Sequence, residues 1–293
     1  MVNTITTVSL TEKAMLISLN VGAWTARKYD AKVTDKINAK YNAGSDAGRY
    51  NKVLIVGEHL KAIGQLDNQI RTFHYERTLP WGDNNQRVIL NKGYAEYSDT
   101  MRKWKEERSK LIYELISAFP GYVEDAKVRL GRMFNQNDYP NQNEIERKFY
   151  FDFSVMPIPS SDDFRVSLNA GEVDRIRQDI ERRIQESISG AMRDLFARLQ
   201  KVVSHMVEKL GDKKGIFRDS LIENVCELMN ILPALDLVDD PEFDKIKKDI
   251  EEKLCKFSAA DLREDPKARK VVAKDAAVVL SDIESAMSAY MGN

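Results

Sequence analysis

Residues 171–210 read GEVDRIRQDIERRIQESISGAMRDLFARLQKVVSHMVEKL and form the longest periodic run in the chain. From Val173 to Leu210, large apolar side chains recur every three or four residues, with a mean step of about 3.7 residues. This spacing predicts one amphipathic helix from Gly171 to Leu210, about 60 Å long, because an α-helix rises about 1.5 Å per residue. The step is wider than the repeat of about 3.5 residues in a left-handed coiled coil.

Two residues bear on where this predicted helix begins and on whether it is continuous. Asn169 is its expected N-cap, and Gly190 lies in its interior, where glycine costs about 1 kcal/mol relative to alanine and a break is most readily placed. A helix of about 60 Å also exceeds the ~30–40 Å across a compact domain core. We therefore expect a spine that packs against helices of its own chain and leaves part of its apolar length for a partner.

The whole sequence predicts a mainly α fold, namely an elongated helical protein with one long central helix and a small antiparallel β-sheet of about three strands. Alternating apolar residues predict a strand at Met15–Val21 and a hairpin over residues 149–168. Periodicity, caps and flanking Pro or Gly predict further helices at Trp24–Tyr41, Tyr50–Tyr75, Lys92–Ala118, Tyr122–Phe134, Gln142–Lys148, Ile216–Leu232, Pro241–Phe257 and Pro266–Met291. We expect two regions, an N-terminal α+β region at 1–168 and a C-terminal helical region at 169–293.

Charge is unevenly distributed along the chain, although its net value is only −1. Residues 1–115 carry 18 basic and 13 acidic side chains, whereas residues 212–293 carry 13 and 18. This asymmetry favours head-to-tail contacts between copies, or separate partners for the two ends. It is equally consistent with the two ends folding against each other.

The cysteines and the first apolar stretch bear on the compartment. Cys226 and Cys255 are too few and too far apart for a disulfide framework or a zinc site, so we expect buried free thiols and a reducing compartment. The stretch Ala14–Val21 is too short to span a membrane and follows an acid, which makes it a poor signal peptide. The sequence therefore predicts a cytoplasmic protein without a membrane partner.

No catalytic constellation is recognisable, and we predict no cofactor, no metal and no enzymatic activity. His59, His74 and His205 lack metal-ligand spacing, so a structural role is expected for each. The acids of residues 239–244 lack the central Gly and the closing Glu of a calcium loop and are typical of a helix start. An enzyme would need a pocket that gathers dispersed acids such as Glu124, Asp125 and Asp152.

Basic residues recur every four positions near the N-terminus. On a helix they would form a ridge suited to a phosphate backbone or to an acidic partner, made of Arg27, Lys28, Lys32, Lys36 and Lys40. The alternative is a solvated face, which the neighbouring Asp30 and Asp35 favour. The aromatic residues Trp24, Tyr29 and Tyr41 flank the ridge and suit either base stacking or the core.

The segment Thr78–Trp81, TLPW, is the most unusual loop in the sequence. Pro80 and Gly82 rule out regular structure here, so Leu79 and Trp81 stand in a turn. A large aromatic residue in such a turn is commonly a packing anchor. If Trp81 were exposed, Leu79 and Trp81 would instead be the best candidate anchors for a partner protein.

Five motifs, in order along nearly the whole chain, carry a resemblance to a known family. They are WTARKYD (24–30), HYERTLPWG (74–82), DYP (138–140), DDFRV (162–166) and FRDSLIENV (217–225). Together they resemble an uncharacterised protein family of tailed phages and mobile elements, which is known only as a domain of unknown function. The resemblance implies expression in the cytoplasm of an infected bacterium, in some genomes near AAA+ ATPases or recombination genes, and supplies no catalytic residues.

These observations lead to two functional hypotheses. The first is a non-enzymatic phage accessory protein that acts by protein–protein interaction, as a homo-oligomer, on a host defence or housekeeping factor or on a phage ATPase. The alternative is a single-stranded nucleic-acid-binding protein that assists phage replication or recombination. The apolar side chains that recur along the long helix from Val173 to Leu210, here called the apolar stripe, motivate the first hypothesis. The basic ridge with its aromatic neighbours motivates the second.

Overall fold

A computed structural model describes residues 7–82, 85–160, 170–212 and 215–291. Its structure is 68% helical with a small antiparallel sheet, which confirms the predicted mainly α fold. The chain divides into two compact units, each built from separate segments. Unit 1 comprises residues 1–18, 74–97 and 154–293, and unit 2 comprises residues 19–73 and 98–153. The units therefore differ from the predicted division at residue 168.

Ten helices and six strands are present in the described residues. The helices are α1 (Thr7–Lys13), α2 (Ala31–Lys40), α3 (Glu58–Glu76), α4 (Asn91–Leu130), α5 (Gln142–Glu146), α6 (Ala170–Gly211), α7 (Ser220–Ile231), α8 (Pro241–Asp249), α9 (Ala259–Glu264) and α10 (Pro266–Ser288). The strands are β1 (Ala14–Gly22), β2 (Arg27–Tyr29), β3 (Asn51–Val53), β4 (Leu79–Pro80), β5 (Arg87–Leu90) and β6 (Tyr150–Pro157). A π turn at Ile250–Leu254 follows α8.

The predicted long helix is α6, and it is continuous through Gly190. The residues beside the glycine, Ile188, Ala191 and Met192, are buried in the core of unit 1. Burying one large apolar side chain contributes roughly 1.5–3 kcal/mol, which exceeds the cost of about 1 kcal/mol for an interior glycine. The helix therefore does not break. The expected N-cap, Asn169, lies outside the described residues.

Helices of the same chain cover most of the α6 stripe. α10 and α7 pack against α6. Apart from the partly buried Val202, the side chains of the stripe from Ile184 to Leu210 are buried in a core shared with Val272, Val279 and Ile283 of α10. This part of the stripe needs no second copy to cover it. Val173 and Ile176, in the first turns of α6, are half-exposed, as are Ile180 and Val202, which pack against this core.

The main sheet has the strand order β4-β5-β1-β6. β1 pairs antiparallel with β5, from Ala14 opposite Leu90 to Ile17 opposite Arg87, and β4 pairs antiparallel with β5. The predicted strand at Met15–Val21 and the first strand of the predicted hairpin are therefore present as β1 and β6. The second hairpin strand, Phe164–Leu168, lies outside the described residues. The prediction of about three strands missed the short strands β4 and β5.

Two predicted helices are shorter than expected because their first residues form a β-ribbon. β2 and β3 pair antiparallel in a two-stranded sheet. Leu54 extends this pairing by donating from its backbone N–H to the carbonyl of Ala26. Because these hydrogen bonds occupy the backbone, α2 begins only at Ala31 and α3 only at Glu58.

Pro120 was expected to end a helix, yet α4 runs through it to Leu130. The apolar residues Leu115, Phe119, Val123 and Leu130 keep a helical spacing on both sides of the proline and are buried in the core of unit 2. Pro120 itself lies on the exposed face. Burial of the apolar face therefore outweighs the hydrogen bond that a proline cannot donate.

The expectation of free thiols is wrong for both cysteines. Cys226 of α7 and Cys255, which follows the π turn, are joined in a disulfide within unit 1, with their Cα atoms 5.8 Å apart. The two positions are 29 residues apart in the sequence. They meet because the π turn packs against α7. That contact is set by tertiary structure and leaves no signal in the spacing of the two residues.

We expect the disulfide to stabilise unit 1. Closing a loop of this length in the unfolded chain is worth about 3–4 kcal/mol. Treatment with a thiol reductant should therefore lower the free energy of unfolding in urea by about that amount. In the double variant Cys226→Ser with Cys255→Ser, the reductant should have no effect. An equal urea midpoint for the wild type with and without reductant would contradict this expectation.

Candidate polyanion-binding surface

The candidate site belongs to unit 2 and consists of residues 27–53, here called the basic module. The ribbon of β2 and β3 carries α2 between its strands, and Asp30 begins that helix. The Asp30 carboxylate accepts from the backbone N–H of Val33 at 3.1 Å, while the backbone N–H of Asp30 donates to the carbonyl of Tyr50 at 3.0 Å. The N-cap and the closing of the ribbon thus depend on the same residue.

The loop from Tyr41 to Tyr50 folds back along α2 and is held there by two buried polar side chains. The Thr34 hydroxyl donates to the carbonyl of Asp30 at 2.8 Å and accepts from the backbone N–H of Tyr50 at 3.0 Å. The Asn38 amide donates to the carbonyl of Ser45 at 3.4 Å. One face of α2 is therefore fixed against its own loop by hydrogen bonds.

The opposite face of α2 carries three exposed lysines. At 100° per residue, Lys32, Lys36 and Lys40 lie across the helix from Thr34 and Asn38. Within the described ranges, none of the three forms an ion pair with a carboxylate. The structure thus brings these three together in one row, here called the lysine row, with about 6 Å of helix rise between neighbours.

The other two members of the predicted ridge lie elsewhere. Arg27 and Lys28 are on β2, because the backbone before Asp30 pairs with β3 instead of continuing α2. Lys28 forms an ion pair with Asp138 at 3.3 Å. The prediction of a single helical ridge is therefore wrong for Arg27 and Lys28, although both side chains remain exposed on the basic module.

Aromatic rings stand at both ends of α2. Tyr29, immediately before the N-cap, is 40% exposed, and the Arg49 guanidinium lies 4.5 Å from its ring centroid. Tyr41, the C-cap residue, is 72% exposed, with the Lys40 ammonium 5.8 Å from its ring centroid. The third predicted aromatic, Trp24, is half-buried against Phe119 and belongs to the core of unit 2.

Lys52 of β3 fixes the base of the basic module. Its side chain is almost fully buried, and its ammonium contacts the carboxylates of Asp138 at 2.5 Å and Asp30 at 3.2 Å, and donates to the carbonyl of Met133 at 2.9 Å. Burial alone would lower the pKa of Lys52, but the bonds to Asp138 and Asp30 hold this pKa above its ordinary value. The hydrogen bond from Val33, and then Lys52 itself, lower the pKa of Asp30.

The electrostatic balance of the basic module is positive. Residues 27–50 contain six basic side chains and three acidic ones, Asp30, Asp35 and Asp46. Asp30 is engaged by Lys52 and by its capping bond. Asp35 and Asp46 are exposed, so the surface carries an excess of cations over carboxylates together with two aromatic rings, which suits a polyanion.

Sequence reasoning missed Arg49 and Lys52. Arg49 lies at the end of the loop and Lys52 lies in β3, and both come close to β2 through the ribbon register, in which Lys28 lies opposite Lys52 and Tyr29 opposite Asn51. A run of three residues carries too little alternation to predict a strand. No local signal could therefore have connected these two cations with the residues of α2.

The second predicted site, Leu79 with Trp81, is not on the surface. Leu79 is fully buried and Trp81 is 5% exposed, both in the core of unit 1. The strand pairing of Leu79 with Val88 and the hydrogen bond from the Trp81 N–H to the carbonyl of Gln86 hold the loop. The interpretation of these residues as partner anchors is therefore wrong, because the segment pairs as a short strand and turns inward.

The three histidines and Asp240 do not lie together in one site in the described structure. The side chains of His59, His74 and Asp240 each hydrogen-bond to another group of the chain. The ring of His74 hydrogen-bonds to Tyr97 at 2.8 Å, and burial lowers its pKa to about 4, with Arg87 adding to the effect. The ring of His59 hydrogen-bonds to Tyr122, whereas His205 is exposed. Asp240 caps α8 through the N–H of Glu242. Over the ranges described, no group of three or more His, Cys, Asp or Glu is placed to hold a metal.

Comparisons with known proteins found no relative. No protein family, no curated protein and no solved structure matches this chain. In the described part of the chain, no helix is long and apolar enough to cross a bilayer. The resemblance of the five motifs to a phage family therefore stays a hypothesis, and the basic module is interpreted from its own geometry.

We expect Lys52→Met to unfold the base of the basic module. Removing one partner of a buried ion pair typically costs about 3–5 kcal/mol, and here it would leave Asp138 with the exposed Lys28 alone and Asp30 with its capping hydrogen bond alone. Hydrogen exchange of the amides in residues 27–53 should accelerate strongly. The exposed matched substitution Lys36→Met should change the unfolding free energy by less than about 0.5 kcal/mol. Equal exchange rates in the two variants would refute the role assigned to Lys52.

Proposed function

We propose that this chain is a non-enzymatic binding protein whose basic module binds the phosphate backbone of nucleic acid. The observation that carries this proposal is the lysine row, which has three exposed ammonium groups on one helix face and no carboxylate partner in the described structure. A lysine whose charge is already paired has less to gain from a ligand. Lys32, Lys36 and Lys40 form no ion pair within the described residues, so a bound phosphate would give each of them a partner of opposite charge.

The chemistry of a phosphate backbone fits this surface. Each phosphate that a lysine neutralises releases condensed counterions, which drives binding at low salt. The buried contacts of Thr34, Asn38 and Lys52 hold the helix under the row, so the lysines approach a ligand on a preformed support. The resemblance to phage proteins supplies a setting for the proposal, in which the protein assists phage replication or recombination in the host cytoplasm.

Reversing two charges of the lysine row should weaken binding and its salt dependence together. The slope of log K against log salt is negative for binding to a single-stranded oligonucleotide. For Lys32→Glu with Lys36→Glu, we expect this slope to become less negative by about 1.4, or about 0.7 per lysine. Fluorescence anisotropy between about 50 and 200 mM salt measures this slope.

The matched control has the same change in net charge on another exposed surface of unit 2. Lys103 and Lys110 of α4 are exposed, and the described structure gives neither an ion pair. Lys103→Glu with Lys110→Glu should therefore leave the slope close to that of the wild type. An equal loss in both double variants would show a general charge effect instead of a site. Failure of the wild-type protein to bind nucleic acid at low salt would eliminate the proposal.

A second candidate function is protein–protein interaction as a homo-oligomer. One observation favours it: Val173 and Ile176 continue the apolar stripe of α6 and are half-exposed. Two copies could cover these turns on each other. The further partner would then be a host defence or housekeeping factor, or a phage ATPase.

For this second candidate, the molar mass in solution is decisive. We expect a mass above 33.5 kDa, the mass of one chain, by light scattering at micromolar concentration. Val173→Asp with Ile176→Asp should reduce it to that of one chain, because the charges would be buried in the interface. Gln178→Asp, at an exposed position of the same helix, is the control and should not change the mass. A wild-type mass of 33.5 kDa would contradict the homo-oligomer.

A further inference from the structure

We infer that the ligand of the basic module is a single strand of nucleic acid whose bases stack on Tyr29 and Tyr41. This inference rests on the proposed function and names the ligand class for the same surface. It depends on a feature that phosphate binding alone does not use, namely two exposed aromatic rings at the ends of the lysine row.

The two tyrosines bracket the cations in chain order, one at each end of α2. Tyr29 directly precedes the N-cap of α2, and Tyr41 is its C-cap. The ten residues between the caps span about 15 Å of helix. A strand about as long as α2 that binds along it would therefore have one tyrosine within reach at each end.

The Tyr29 ring is supported on a cation. The Arg49 guanidinium lies 4.5 Å from its centroid, at cation–π distance, and in the part of the chain described Arg49 has no carboxylate partner. Arginine and tyrosine planes both accept a stacked base, so the pair forms one platform. The exposed fraction of Tyr29, 40%, leaves part of this platform open to a ligand.

Tyr41 has no core to fill. It is 72% exposed, and its ring lies 5.8 Å from the ammonium of Lys40, its neighbour in the sequence. A base stacked on this ring would bring its phosphate close to the Lys40 ammonium. Stacking and charge neutralisation are therefore available to the same nucleotide.

A duplex cannot use these rings, because the faces of its bases are already stacked inside the helix. Its backbone would gain only the contacts of the lysine row. An acidic protein segment would gain the same charges but has no base to stack. A single strand gains both contributions, and each base stacked on an aromatic ring typically improves affinity by about fivefold to a hundredfold.

The test uses the full chain and three labelled probes. The probes are an oligothymidylate of about 20 nucleotides, a duplex of the same length and polyglutamate, each titrated at the same low salt. We expect the wild type to bind the single strand about tenfold or more tightly than the duplex. Tyr29→Ala with Tyr41→Ala should lose about tenfold or more on the single strand and leave duplex binding unchanged.

The matched control keeps the rings and removes only the hydroxyls. Tyr29→Phe with Tyr41→Phe should retain the wild-type affinity for the single strand. Tyr41→Ala alone serves as the second variant, because a residue that is 72% exposed contributes little to folding. It should lose about fivefold or more on the single strand only.

The outcomes separate this inference from the proposed function. Equal wild-type affinity for single strand and duplex would overturn the stacking inference and leave phosphate binding by the lysine row intact. The same holds if the alanine variants lose affinity for both probes alike. Binding to polyglutamate without binding to either nucleic acid would overturn both, since the partner would then be an acidic protein.

Discussion

The apolar stripe of α6 must be removed from water, and the C-terminal helices of unit 1 are arranged around that requirement. Its side chains from Ile184 to Leu210 recur at the period of a straight helix, so they form a nearly linear seam. α10 and α7 present buried seams of their own and pack along it. At roughly 1.5–3 kcal/mol for each large side chain, this burial exceeds the local costs that the arrangement imposes, such as Gly190 within the helix.

At the base of the basic module, hydrogen bonds and ion pairs, instead of apolar burial, hold the chain in place. Too few apolar side chains lie along residues 27–50 to build a core, so hydrogen bonds and one buried ion cluster order them. Lys52 holds Asp30 and Asp138 from the inside, whereas the lysines of α2 form no ion pair within the described residues. Lys52 thus carries the buried ion pairs of the module, while Lys32, Lys36 and Lys40 carry exposed charge. That separation is what allows surface substitutions in the lysine row without loss of the fold.

Periodic segments were predictable from the sequence, and elements that depend on distant partners were not. The long helix, the start of α8 at Asp240-Pro241 and the strand β1 follow from local spacing and capping. The ribbon of β2 and β3, the cysteine pairing and the inward turn of Trp81 are set by segments far away in the chain. Pro120 shows the same effect in reverse, because the core of unit 2 overrides a strong local signal. At the candidate site, the three helical lysines were recognisable, whereas Arg49 and Lys52 needed the ribbon register.

The chain has a net charge of −1, yet this value does not oppose binding of a polyanion. At physiological ionic strength the Debye length is about 8 Å, so charges farther away than this are largely screened. We therefore expect a phosphate bound at the lysine row to respond mainly to charges within about that distance, which include the module's own cations. The near-neutral total has a further consequence. A uniformly basic protein binds polyanions over its whole surface, whereas in a chain of near-neutral charge the proposed binding would depend on a local cluster of cations, with Tyr29 and Tyr41 as the proposed determinants of which polyanion is bound.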